Sequence, residues 1–339
     1  MAVTIIAEIA QAHDGSLGRA HSFIDAVADA GADAIKFQTH IAEYESSSLE
    51  PWRIRFSYED ETRYDYWKRM EFTPDQWQGL IEHSHRKNLE FIGTPFCPEG
   101  LEMLSRLGVN RWKLASGEIT NVFLLEKLAS LGQPVIMSTG MSGWEEIQRT
   151  AEFFMAAGVD LSILQCTTAY PTPPEQVGLN VMEELARRFA VPVGLSDHSG
   201  SIFPALAAVA RGARIIEVHV CMSPYDFGPD TSSSLTVEML KTLVDGVRYI
   251  ERMLDHPVDK DAQARKLEPL HDIFTKSLYA REDLEAGCVL THAVLGARKP
   301  CAGIPVTRLK DVQGICVNRS VRRGEFLRWE DINMDVDSE

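Results

Sequence analysis

Short apolar runs alternate with longer amphipathic stretches along the first 255 residues. The runs predict strands over 3–9 (VTIIAEI), 33–38, 89–94, 111–115, 134–138, 161–165, 192–197 and 214–220. Between them the apolar positions move to helical spacing. Over 17–30, for instance, Phe23, Ile24, Val27 and Ala28 share one face. An eighth helix is predicted over 235–253. Eight strand–helix units in succession have the rhythm of a (β/α)8 TIM barrel within the α/β class. A doubly wound sheet is the rival, but it rarely needs eight units and the chain has no matching Gly-rich fingerprint.

Beyond residue 255 the rhythm changes. Residues 1–255 therefore form the predicted barrel, and 256–273 is charged and reads as a linker. Residues 274–339 read as a small β-rich module with an internal echo: LEAGCVLTHAVL (284–295) matches VRRGEFLRWEDI (321–332). Gly287 falls over Gly324, Leu290 over Leu327 and Leu295 over Ile332.

Composition narrows the function. The 339 residues are 45% hydrophobic, enough for a sizeable core, and carry a formal net charge of -15. That balance argues against a nucleic-acid partner but leaves room for an anionic small substrate at a local cluster of lysines. No apolar run is long enough to cross a bilayer, and the first residues, MAVTIIAEIA, lack the positive region of a signal peptide. Six cysteines without a C-x-x-C pair point to reduced thiols in a cytoplasmic protein.

In a barrel, chemistry gathers where the strands end. The polar residues there are Glu8; Lys36 and Gln38; Thr94; Lys113, Ser116 and Glu118; Ser138; Thr168 and Tyr170; Ser196 and His198; and Glu217 and His219. Strand side chains alternate, so Ser196 and His198 face one side, as do Glu217 and His219. Two lysines in apolar strands demand anions. With a ring of hydroxyls they suit a phosphate and a carboxylate. Two imidazoles on adjacent strands are either hydrogen-bonded structural residues or ligands of a divalent metal. Glu8, Glu118 and Glu217 offer a further ligand or an acid or base. Asp197, between Ser196 and His198, should face the helices; Cys166 and Cys221 read as packing, and His83 and His85 as solvated.

The ordered stretches AEIAQAHDGSLGRA, AIKFQTH, FIGTPF, WKLASGE, VIMSTGM, QCTTAYPTP, GLSDHS, EVHV and GPD resemble the sialic acid synthase family. That family includes N-acetylneuraminate, legionaminate and pseudaminate synthases. The tail resembles their antifreeze-like SAF module. The resemblance implies a metal-dependent condensation of phosphoenolpyruvate with an aldehyde sugar to a nonulosonic acid, with release of phosphate. It implies a divalent ion, manganese first and magnesium or cobalt as alternatives, held by His198 and His219. It puts phosphoenolpyruvate on Lys36, Thr94, Lys113, Ser116, Ser138, Thr168 and Ser196, with Glu118, Glu217 and Glu8 as catalytic groups. The aldose would meet Gln38, Tyr170 and Asp230, and Arg298 and Lys299 of the SAF module. It also implies a domain-swapped homodimer.

Departures from the family pattern sharpen the expectation. Ala12-His13 stands where Asn-His is common, and Thr168 replaces a usual Asn or Ser. The SAF motif R-P-G-x-G becomes Arg298-Lys299-Pro300-Cys301-Ala302-Gly303. Lys299 at the arginine position cannot make a planar bidentate contact. An acceptor other than N-acetylmannosamine is therefore expected. The long stretch between His40 and Phe72 should shape the pocket or pack on the rim, with Tyr64, Tyr66 and Trp67 as candidates. Two other functions compete: a synthase for a phosphorylated aldose, and a non-catalytic barrel that binds a sugar acid.

Overall fold

A computed structural model describes residues 2–333. It divides into two compact units, Met1–His256 and Pro257–Glu339. In the first, eight parallel strands follow one another around a closed barrel, β1 pairing with both β2 and β8. They are β1 Thr4–Glu8, β2 Ala34–Thr39, β3 Glu90–Pro95, β4 Trp112–Leu114, β5 Val135–Ser138, β6 Leu161–Cys166, β7 Val193–Asp197 and β8 Ile215–Cys221.

Two apolar layers build this barrel. Every second strand residue points inward, and Ile6, Ala34, Ile92, Ile136, Leu164 and Ile215 pack together as the barrel floor. The alternate residues point outward onto the helices. There Phe23, Ile24 and Val27 of helix Leu17–Ala30 are fully buried beside Trp77 and Trp112. Ala28, placed on the same face by spacing, is only partly buried.

Two elements differ from the sequence pattern. Leu235–Thr236 forms a two-residue strand, β9, beside β8, and the last barrel helix begins at Val237, capped by the Thr236 side chain. The connection after β2 is not one loop. It holds helices Ala42–Glu45 and Arg63–Met70 before the barrel helix Pro74–Arg86. Thr62 with Asp65, and Thr73 with Gln76, close capping boxes that start the latter two.

The second unit opens with two short helices, Lys260–Lys266 and Glu268–Phe274, where the charged stretch reads as a linker. Charge in the first did not prevent helix formation, and the second exposes Leu270, Ile273 and Phe274. Then β10 Ser277–Ala280 pairs antiparallel with β11 Leu295–Arg298. The echoed segments do equivalent jobs. Leu284 and Val321 exchange backbone hydrogen bonds of 2.8 Å, and Gly287 and Gly324 both turn with φ of 86°, a conformation glycine adopts freely. Leu290 and Leu327 are completely buried. Residues 334–339 of the module lie outside the described residues.

Candidate active site

Two residues above the apolar floor, the barrel interior turns polar. Ile6 gives way to Glu8, Ala34 to Lys36, Ile92 to Thr94, Ile136 to Ser138, Leu164 to Cys166 and Ile215 to Glu217. Lys113 of β4 and Ser196 of β7 complete the layer. One step higher stand Gln38, His198 and His219. The same period-two pattern that closes the floor thus stacks charge directly on it. A cavity of about 500 Å³ opens above, lined by all of these except Glu8, and also by Ser116, Glu118, Thr168, Tyr170 and Asp230.

The two lysines are not equivalent. Lys36 Nζ pairs with Glu8, lies 3.7 Å from Glu217 Oε1, and donates to Thr94 Oγ1 at 3.1 Å. Burial opposes its charge, but Glu217 and Glu8 outweigh that and hold its pKa above the ordinary lysine value. Lys113 Nζ donates to the carbonyl of Leu114 at 3.0 Å. Its burial dominates the attraction of Glu217, so its pKa is lowered. This ammonium calls for an anion. Glu217 is held ionised: burial would raise its pKa, but Lys113, Lys36 and a 2.9 Å hydrogen bond from Ser196 Oγ bring it below the carboxylate range.

Unpartnered buried atoms face the same space. Ser138 Oγ and Glu217 Oε2 are buried and make no hydrogen bond within the chain. Beside them, Gly140 N donates to Ser116 Oγ at 3.0 Å. A Cβ at Gly140 would sit 2.4 Å from Thr168 Oγ1 and 2.8 Å from Ser116 Oγ. Glycine here lets two hydroxyls close over the backbone, a cradle suited to phosphate oxygens.

At the ends of β7 and β8 the His198 and His219 rings meet edge to face, centroids 5.1 Å apart. His198 Nδ1 donates to the Thr167 carbonyl at 2.9 Å, which leaves the Nε2 lone pair directed away from the backbone. Burial, and then His219, push the His198 pKa down to about 3. A neutral imidazole with a fixed tautomer is a proper metal ligand. Among the described residues no third histidine, cysteine or acid completes a cluster. The donor set therefore fits a divalent ion held by two protein ligands with positions left for substrate, not a closed four-ligand structural site.

Glu118 has another character. It follows β4 in a short helical turn, accepts from Asn121 Nδ2 at 2.7 Å, and has its pKa raised, chiefly by burial. Glu8 does not reach the cavity; it is the buried counter-ion of Lys36. Asp197 is buried and accepts from Ser199 Oγ at 2.6 Å. Cys166 does line the cavity, and burial pushes its thiol up. His83 is only partly solvated, its Nδ1 lying 2.9 Å from that of His21. His13 is buried, its ring tilted against that of Phe72 with centroids 4.8 Å apart. The departure at Ala12 thus falls on a loop pinned from inside.

The acceptor side of the cavity was the least legible. Tyr66 and Trp67 line it and Tyr64 does not. Trp52, Arg53, Phe56 and Arg63 line it as well, with no sequence motif to mark them. Arg53 bridges to Asp230 at 2.7 Å and lies 4.4 Å from the Tyr170 ring centroid. Arg63 pairs with Glu50 at 3.1 Å. Arg298 and Lys299 belong to the second unit. There Arg298 stacks on Tyr279 and Phe326, and Lys299 lies over Phe274.

Comparison with known proteins adds the lineage. Residues 23–259 match the NeuB family and residues 275–333 match the SAF domain. N,N'-diacetyllegionaminic acid synthase of Campylobacter jejuni is 32% identical over 330 residues, 96% of this chain and 98% of that protein. Human N-acetylneuraminate-9-phosphate synthase is 32% identical over 299 residues, 86% of this chain and 81% of that one. Among solved structures, N-acetylneuraminic acid (sialic acid) synthetase from Leptospira borgpetersenii, in complex with citrate, is 33% identical with a TM-score of 0.71. It covers 80% of this chain and 92% of that one.

Proposed function

Because this chain belongs to the NeuB family and carries a SAF domain, we propose that its barrel condenses phosphoenolpyruvate with an unphosphorylated aldose. The products are a nonulosonic acid and phosphate. One observation carries the reading: two buried ammonium groups, a ring of hydroxyls and two imidazoles line one cavity.

Lys113 and Lys36, with Thr94, Ser116, Ser138, Thr168 and Ser196, hold the phosphate and carboxylate of phosphoenolpyruvate. Glu8 and Glu217 keep Lys36 charged and in place. His198 and His219 would hold a divalent ion, manganese first, which would supply Lewis-acid polarisation of the aldehyde. The methylene carbon of phosphoenolpyruvate adds to the aldehyde carbon, whose oxygen becomes an alkoxide, and positive charge develops on the adjacent carbon. Water adds there, one of its protons passes by way of Glu118 to that alkoxide, and the resulting hemiketal phosphate collapses to the ketone as phosphate leaves with the other. Glu118 takes the proton from this water, because its raised pKa makes it a better base than an ordinary carboxylate. Glu217, locked by two lysines and Ser196, stays ionised and stabilises the developing positive charge.

The second reading, a phosphorylated aldose, needs free cations on the acceptor side. Both arginines there are already paired, with Asp230 and Glu50. Glu45 and Glu118 add further negative charge to that wall, which favours a neutral acceptor. Lys299 in place of the family arginine supports an acceptor other than N-acetylmannosamine. We extend the reading to a homodimer in a reducing compartment. Exposed Leu267, Leu270, Ile273 and Phe274, and six free cysteines, support this. No helix among the described residues is long and apolar enough to cross a membrane.

The test is phosphate release from phosphoenolpyruvate with manganese and a panel of aldoses. Release with an unphosphorylated N-acyl or deoxy amino sugar is expected. Release with phosphorylated aldoses alone selects the second reading, and none with any aldose rejects condensation.

A further inference from the structure

Beside Gln38, along the same cavity, runs a largely buried chain of four polar side chains. Gln11 Nε2 lies 2.5 Å from Gln38 Oε1 and 3.1 Å from His40 Nε2. His40 Nδ1 lies 2.7 Å from Glu45 Oε1. The His40 ring is sandwiched between Trp67, 4.1 Å away at 19°, and Phe96, 4.8 Å away at 14°. Gln11 and His40 are 5% and 4% exposed, so solvent cannot easily substitute for a missing partner.

Each link dictates the next. An ionised carboxylate only accepts, so Glu45 requires the proton on His40 Nδ1. A neutral ring then has only a lone pair at Nε2, so Gln11 must offer its amide nitrogen. The second hydrogen of that nitrogen goes to Gln38 Oε1. This leaves the Gln38 nitrogen for the cavity.

We propose that His40 is a positioning residue which, through Gln11, presents Gln38 nitrogen-first to the cavity, where it donates to an oxygen lone pair of the acceptor sugar. The proposal rests on the condensation reading for its substrate. Glu45 anchors the chain, and the aromatic sandwich keeps the ring plane fixed. An acceptor offering only donors at that point leaves two N–H groups opposed and is rejected.

His40→Phe keeps the sandwich and removes both ring nitrogens. It should raise KM for the aldose by about tenfold or more, the scale of one misoriented buried hydrogen bond, while KM for phosphoenolpyruvate stays within about twofold. In a Gln38→Ala background the same substitution should add almost nothing, since coupled residues are non-additive. The 15N spectrum of the His40 ring, assigned by its loss in His40→Phe, should show a proton on Nδ1 and none on Nε2. Additive effects, or an equal rise in KM for phosphoenolpyruvate, overturn the proposal. So does a doubly protonated ring, which would reverse both amides. If the wild type releases no phosphate with any aldose, condensation fails while the ring spectrum still decides the orientation.

Discussion

Replacing Lys113 by Met and Lys36 by Met should damage activity alike but cost very different amounts of stability. Lys113 is fully enclosed and its lowered pKa means the folded protein holds its charge less readily than water does. Met fills the same volume without that charge. Relief of that desolvation favours the variant, while loss of the Lys113 attraction for Glu217 opposes it, so the net change should be small beside that of Lys36→Met. Lys36, in contrast, neutralises Glu8 and Glu217. Its removal strands two buried carboxylates and should destabilise by about 3–5 kcal/mol. For catalysis, an ammonium about 4 Å from an anionic oxygen is worth roughly 4 kcal/mol at an effective dielectric of about 20. That corresponds to about a thousandfold in kcat/KM for phosphoenolpyruvate. Urea midpoints and phosphate-release kinetics on both variants read the two quantities separately. A Lys113→Met protein destabilised as much as Lys36→Met, or losing less than about tenfold in kcat/KM, would refute the charge assignment.

Glu118→Gln should lower kcat by about 10²–10⁴-fold and abolish the acid limb of the pH–rate profile. In the wild type that limb lies above the ordinary carboxylate range, because the pKa is raised. Folding favours the protonated form, so wild-type stability relative to this variant falls as pH rises through the raised value. Gly140→Ala should raise KM for phosphoenolpyruvate by about tenfold, since overpacking costs roughly 1–3 kcal/mol and the added methyl meets the Thr168 and Ser116 hydroxyls. Its aldose KM should be unchanged in the same kinetic assay. His219→Ala should lose bound manganese by metal analysis and activity by more than the ~10–100-fold typical of outer-shell partners. A chelator should reproduce the loss in the wild type, and added manganese should reverse it.

The strand–helix rhythm was enough to establish the barrel, because period two and period 3.6 are properties of neighbouring residues. It also placed Lys36, Lys113, His198 and Glu217 inside, since inward alternation starts from a recognisable apolar floor. The echo of 284–295 in 321–332 marked two matching turns for the same local reason. Tertiary structure alone decided the rest. Lys36 and Lys113 read identically along the chain, yet Lys36 is paired with Glu8 and lies close to Glu217, while Lys113 donates only to the neighbouring Leu114 carbonyl and feels Glu217 at longer range, because the carboxylates come from other strands. For that reason too, the pairing of Glu8 with Lys36 is not readable along the chain. Arg53, His40 and Glu45 come from the connection after β2, where no strand or barrel-helix period fixes where side chains point. Arg53 is placed against Tyr170, and His40 between Trp67 and Phe96, contacts between residues far apart in sequence that no local pattern encodes.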